Sequence, residues 1–179
     1  VEQKLHALGL VLPAPMRLPA GAALPFPWVR VFGNRAFISG HGPLAADGAL
    51  ARPLGKVGTD LTLEQGYEAA RLTGRAIVAR LKQALGDLGR IGAWLRGFGM
   101  VNAGAGFNRF PAVINGFSEL ILEVFGPDAG ARARSAVGLA ALPQQAFWEE
   151  ARWSRRGTFG GHELPAGCPA AGQRGGSVV

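Results

Sequence analysis

Ile91-Gly-Ala-Trp-Leu-Arg-Gly-Phe-Gly-Met-Val-Asn102, then Pro111-Ala-Val-Ile-Asn-Gly-Phe-Ser-Glu-Leu-Ile-Leu-Glu-Val-Phe-Gly126, then Arg134-Ser-Ala-Val-Gly-Leu-Ala-Ala-Leu142 decide the architecture. The first segment reads as a strand whose glycines hint at a bulge or a close backbone approach. In the second, Val113, Ile114, Phe117, Leu120, Ile121, Val124 and Phe125 recur at helical spacing. Pro111 suits a first helical turn and Gly126 a helix end. The third segment is again a strand. A helix crossing between two strands favours parallel neighbours.

Beyond the third segment, Leu142-Pro143 reads as a turn and Gln145 to Trp153 as the last strand. Arg134 on one strand and Glu149 on the next are then expected to line one cleft. A guanidinium offers a planar fork of donors for a small carboxylate. A carboxylate beside it can orient a water or shuttle a proton.

Upstream, Trp28-Val-Arg-Val-Phe32 and Arg35-Ala-Phe-Ile-Ser39 alternate as paired strands. Gly33-Asn34 between them is a two-residue hairpin turn. A long helix opens at Thr62-x-x-Gln65, a capping-box spacing, and is expected to stop at Gly86. Its apolar stripe includes Ala70, Ile77, Leu81 and Leu85, with Arg71, Arg75 and Lys82 on the solvated face. The order is β-β-α-β-α-β-β. Two helices on one face of a sheet make an α+β two-layer domain, and the other face needs cover, for which a second subunit is the natural candidate.

The expected division is an N-terminal arm with a short helix over 1–27, the folded domain over 28–153, and a flexible Gly/Pro-rich tail over 154–179. The 179 residues suit one domain with a sizeable core. Hydrophobic residues at 48% against 17% charged exclude an intrinsically disordered chain. Leu8 to Leu12 is too short for a membrane helix and lacks a cleavage site, so neither a membrane span nor a signal peptide is expected. A lone Cys168 excludes an intrachain disulfide and fits a reducing compartment, here taken as the cytoplasm. His6, His41 and His162 match no zinc spacing, so no metal is expected. The net charge of +7 comes mainly from scattered arginines with no dense basic run, so nucleic acid is not the expected partner. Gly97-Phe-Gly99 and Gly55-Lys-Val-Gly58 lack the positions of a phosphate loop, and Ser39 and Ser135 lack a nucleophile elbow.

Several motifs, taken in order, resemble the Rid family, also called YjgF-like or reactive intermediate deaminase proteins, and in older usage L-PSP endoribonucleases. They are Ile38-Ser-Gly-His-Gly-Pro43, Gly55-Lys-Val-Gly58, Leu85-Gly-Asp-Leu88 and Val113-Ile-Asn115, followed by Glu123-Val-Phe-Gly126, Arg134-Ser-Ala-Val-Gly138, Leu142-Pro143 and Glu149. The resemblance implies a chorismate-mutase-like fold and a barrel-forming homotrimer with ligand clefts between subunits. It implies that Arg134 holds a substrate carboxylate and Glu149 guides water. Asn115 and the backbone around Gly40 would help line the cleft, with His41 in the position after Gly40.

Four positions depart from the deaminating pattern. The arm's tyrosine falls near Phe26, the cysteine two residues after the arginine is Ala136, the position after Ser39-Gly40, often Gln, is His41, and the second carboxylate of the last strand falls at Ala151. The activity implied is hydrolysis of 2-imino acids to 2-keto acids and ammonia, with no cofactor, because an imine is already electrophilic. The alternatives are a non-catalytic carboxylate-binding or regulatory protein of the same fold, and an endoribonuclease or translation inhibitor.

Overall fold

The computed structural model describes residues 1–18, 21, 24–142 and 148–155, the last stretch as backbone alone. The elements run α1 (Glu2–Ala7), β1 (Val29–Phe32), β2 (Arg35–Ile38), α2 (Leu63–Leu85), β3 (Ile91–Asn102), α3 (Phe110–Gly130), β4 (Ala133–Leu139) and β5 (Trp148–Arg155), with a single 3-10 turn at Leu88–Arg90 before β3. The expected succession of strands and helices is therefore present. The expected tail, apart from the end of β5, and the Pro143 side of the expected turn lie outside the described residues.

The helix limits follow from local chemistry. The Thr62 hydroxyl accepts from the Gln65 backbone N–H while the Gln65 side chain accepts from the Thr62 N–H, so two of the four free donors at the helix start are satisfied. At the other end Gly86 adopts φ 77°, a backbone that a side chain disfavours, and closes α2 by donating to the Lys82 carbonyl. Helix α3 breaks at Gly126, with φ 82°, and one further turn runs from Pro127 to Gly130.

Both helices lie on one face of the sheet. Trp94 of β3 is buried edge-on against Phe117 and Phe125 of α3, and Ile77, Val78 and Leu81 of α2 complete this core. A smaller cluster of Val57, Leu61, Val101, Val113 and Ile114 sits at the start of α3. The basic residues of α2 expected on the solvated face are tied down instead. Arg71 pairs with Glu123 of α3 at 2.6 Å, Lys82 with Glu2 of α1 at 3.3 Å, and Arg75 donates to the carbonyl of Val11. Long flexible stems reach partners on neighbouring elements that helical spacing alone does not reveal.

The sheet order is β1-β2-β5-β3-β4. β3 and β4, joined through α3, are parallel neighbours as expected. β2 and β3, joined through α2, are not neighbours. β5 lies between them and runs antiparallel to both. The expectation of β4 and β5 as adjacent strands of one cleft is corrected accordingly, because β3 separates them. A central slot gives β5 two hydrogen-bonded ladders, whereas a position beside β4 would give it one.

The helices approach closely at Gly116. A Cβ there would fall onto the Tyr67 carbonyl oxygen and within 3.2 Å of the Arg71 nitrogen, both backbone atoms. Gly116→Ala is expected to lower stability by about 1–3 kcal/mol despite the better helix propensity of alanine, because the helices must separate. The urea midpoint measures this, and an unchanged or higher midpoint would contradict the close packing.

Candidate functional site

The site is built outward from β4. Arg134 is its second residue, paired with Gly97 of β3, and its half-buried side chain crosses to α3. There Nη1 donates to Asn115 Oδ1 at 2.8 Å and to Ser118 Oγ at 2.8 Å. Asn115 and Ser118 are three residues apart and so share one face of the helix. Ser118 in turn donates to the Ile114 carbonyl at 3.2 Å. Both acceptors of Nη1 are neutral, so the full positive charge of the guanidinium is retained. Its Nε/Nη2 edge presents two parallel N–H donors, the geometry that fits a carboxylate.

Ala136 is two residues further along β4, on the same helix-facing side, packed with the cluster around Val113 and Ile114. It pairs with Gly99, where an added Cβ would meet Ile114 at 2.6 Å. Gly99 also pairs with Glu149 of β5. The backbone thus sets Glu149 in the row of Ala136 and Gly99, two residues along from the row of Arg134, Gly97 and Ala151. Two strand spacings, about 10 Å, separate Arg134 from Glu149 across the sheet. The side chain of Glu149 lies outside the described residues.

Other residues singled out in the sequence gather elsewhere. Ser39 and Gly40 follow β2 and line a depression of about 350 Å³ with Pro27, Arg30, Phe37, Ile38 and Met100. Phe26, partly exposed, packs edge-on against Trp28 at 5.9 Å. Between β2 and β4 stand β5 and β3, a span of about 14 Å. One chain therefore brings Arg134, Asn115 and Ala136 together on one side, and Gly40 and Phe26 on the other.

His41, expected beside Gly40 in the cleft, is instead 1% exposed. Its ring lies 4.9 Å from the Trp28 ring, which Arg80 covers from 5.3 Å. Nδ1 stands 2.7 Å from the Ser39 carbonyl, so Nδ1 carries the proton, and buried Nε2 has no partner among the described residues. Burial holds the imidazole pKa down at about 4, with the Ser39 carbonyl opposing and the Arg80 charge adding to the shift.

Ser118 was not among the residues that sequence reasoning brought forward. The one sign of it was its spacing from Asn115, and a serine within a helix is ordinarily unremarked. Among the described residues no three His, Cys, Asp or Glu side chains gather as a metal site. No described helix is long and apolar enough to cross a membrane.

The family described as "YjgF/chorismate mutase-like, putative endoribonuclease" matches residues 2–147. The chain belongs to this family. Protein TCP17 of Trypanosoma cruzi is 36% identical over 143 residues, covering 80% of this chain and 86% of that protein. Among solved structures, Atu1372 of Agrobacterium tumefaciens, described as of unknown function, is 33% identical with a TM-score of 0.75, covering 86% of this chain and 92% of that one. A "putative endoribonuclease" of Shewanella oneidensis is 31% identical with a TM-score of 0.77, covering 86% and 97%. The architecture is the α+β fold of the YjgF family.

The histidine makes stability depend on pH. Its folded pKa of about 4 lies below the ordinary 6.5, so the unfolded chain takes up the proton first. The contribution is complete above pH 6.5 and is lost as pH falls from there through 4, up to about 3 kcal/mol. Chemical denaturation of the parent and His41→Gln across pH 7 to 4 is expected to show a shallower decline in the variant. Identical slopes would contradict the buried neutral imidazole.

Proposed function

We propose that this YjgF-family protein hydrolyses 2-imino acids to 2-keto acids and ammonia. The observation that carries this reading is the Arg134 guanidinium, fixed through Nη1 by Asn115 and Ser118 and turned so that a carboxylate-shaped edge remains. In this reading that edge takes the substrate carboxylate. Water, oriented by Glu149, adds to the imine carbon as the nitrogen is protonated. Collapse of the resulting tetrahedral carbon breaks the C–N bond, forms the keto group and releases ammonia. The imine supplies its own electrophilicity, so the scheme calls for no cofactor.

The two groups of cleft residues stand on opposite sides of one sheet. In the proposed assembly, a homotrimer whose sheets form a barrel, a neighbouring copy brings its Gly40 and Phe26 side toward Arg134. The sheet face opposite the helices, which carries Arg30 and Met100, then meets the other subunits.

A second reading has specific support. Phe26 stands where the deaminating pattern has a tyrosine and Ala136 where it has a cysteine. A protein with the carboxylate clamp but without those groups can bind a keto acid and not turn an imine over.

The test is release of ammonia or 2-oxobutyrate from freshly generated 2-iminobutyrate. Arg134→Ala is expected to lower kcat/KM by about 100-fold or more, since a bidentate, charge-assisted pair is worth roughly 3 kcal/mol. Equal rates for the two proteins would contradict the proposal. Saturable 2-oxobutyrate binding with no ammonia from either protein would select the second reading.

A further inference from the structure

The surroundings of Arg134 are more specific than a carboxylate clamp alone requires. Nη1 donates to two oxygens from adjacent turns of α3, Asn115 Oδ1 and Ser118 Oγ. A guanidinium only donates, so the Asn115 amide must present its oxygen. The Ile114 carbonyl only accepts, so the Ser118 hydroxyl hydrogen points back to it at 3.2 Å, and the oxygen lone pairs are left for Arg134. The hydroxyl thereby spends its one hydrogen on its own helix and accepts from Arg134. A guanidinium held by one acceptor can swivel about that contact. Two acceptors straddling Nη1 fix its position and the plane of the group.

We infer that Ser118 is a positioning residue, which with Asn115 turns the Nε/Nη2 edge of Arg134 toward the substrate carboxylate and so sets affinity for 2-oxo and 2-imino acids. The inference rests on the reading of Arg134 as the carboxylate clamp. Ser118 touches the arginine and not the substrate, so its influence falls on binding and not on attack by water. Threonine keeps the hydroxyl and makes the same bond to the carbonyl four residues back, so it can stand in for serine.

The experiment measures 2-oxobutyrate affinity calorimetrically for the parent, Ser118→Ala, Ser118→Thr and Arg134→Ala. KM and kcat for 2-iminobutyrate and the melting temperature are measured in parallel. Ser118→Ala is expected to weaken binding and raise KM about tenfold, the worth of one hydrogen bond to a charged group. Its kcat should stay within about twofold and its Tm within about 4 °C, with Ser118→Thr restoring the affinity. If Ser118→Ala binds like the parent while Arg134→Ala does not, the inference is overturned and the clamp stands. If Arg134→Ala also binds like the parent, the clamp falls and the inference with it. A drop in Tm with affinity unchanged would mark Ser118 as structural only and overturn the inference.

Discussion

The site depends on a cation held at one corner. Arg134 leaves an edge strand, crosses to α3 and is anchored through a single nitrogen by Asn115 and Ser118. Neutral anchors matter here. A carboxylate in either place would hold the guanidinium as firmly but would cancel the charge that an anionic ligand needs. Amide and hydroxyl oxygens give orientation and leave the charge available. The anchors are in turn fixed by packing, since Gly116 and Phe117 between them are buried against α2 and the sheet. The close helix contact at Gly116 thus reaches the site through α3.

Topology sets the second constraint. Because β5 enters between β2 and β3, β4 remains an edge strand and Arg134 sits at the margin of the sheet. The residues around Gly40 lie about 14 Å away across β5 and β3. In the assembly proposed above, a neighbouring copy completes a pocket drawing on both groups and also meets the sheet face opposite the helices.

Much of the fold was legible because its cues are local. The Thr62–Gln65 capping box, Gly86 as a left-handed helix stop, and the span Ile91–Asn102 each follow from a few adjacent residues. The place of β5 was not, because strand pairing over long sequence distance leaves no short-range trace. Reading Leu142-Pro143 as a turn led to β4 and β5 as partners, although chain succession does not fix which ladder a strand joins. At the site, Arg134 and Asn115 were singled out and do meet. His41 read as a loop residue near a ligand. Its burial under Trp28 comes from the fold of the Trp28 and Ser39 segments onto each other, which the Ser39 hydroxyl fastens by donating to the Pro27 carbonyl at 2.8 Å. Ser118 escaped notice because a mid-helix serine bonded to its own backbone looks neutral until the arginine across from it is seen.

A crystal structure of the protein with 2-oxobutyrate bound tests the central claim most directly. The expected result is the ligand carboxylate on the Nε/Nη2 edge of Arg134, with Nη1 still held by Asn115 and Ser118 and a second copy closing the cleft. A keto acid seated elsewhere, with the Arg134 edge turned into its own chain, would contradict it.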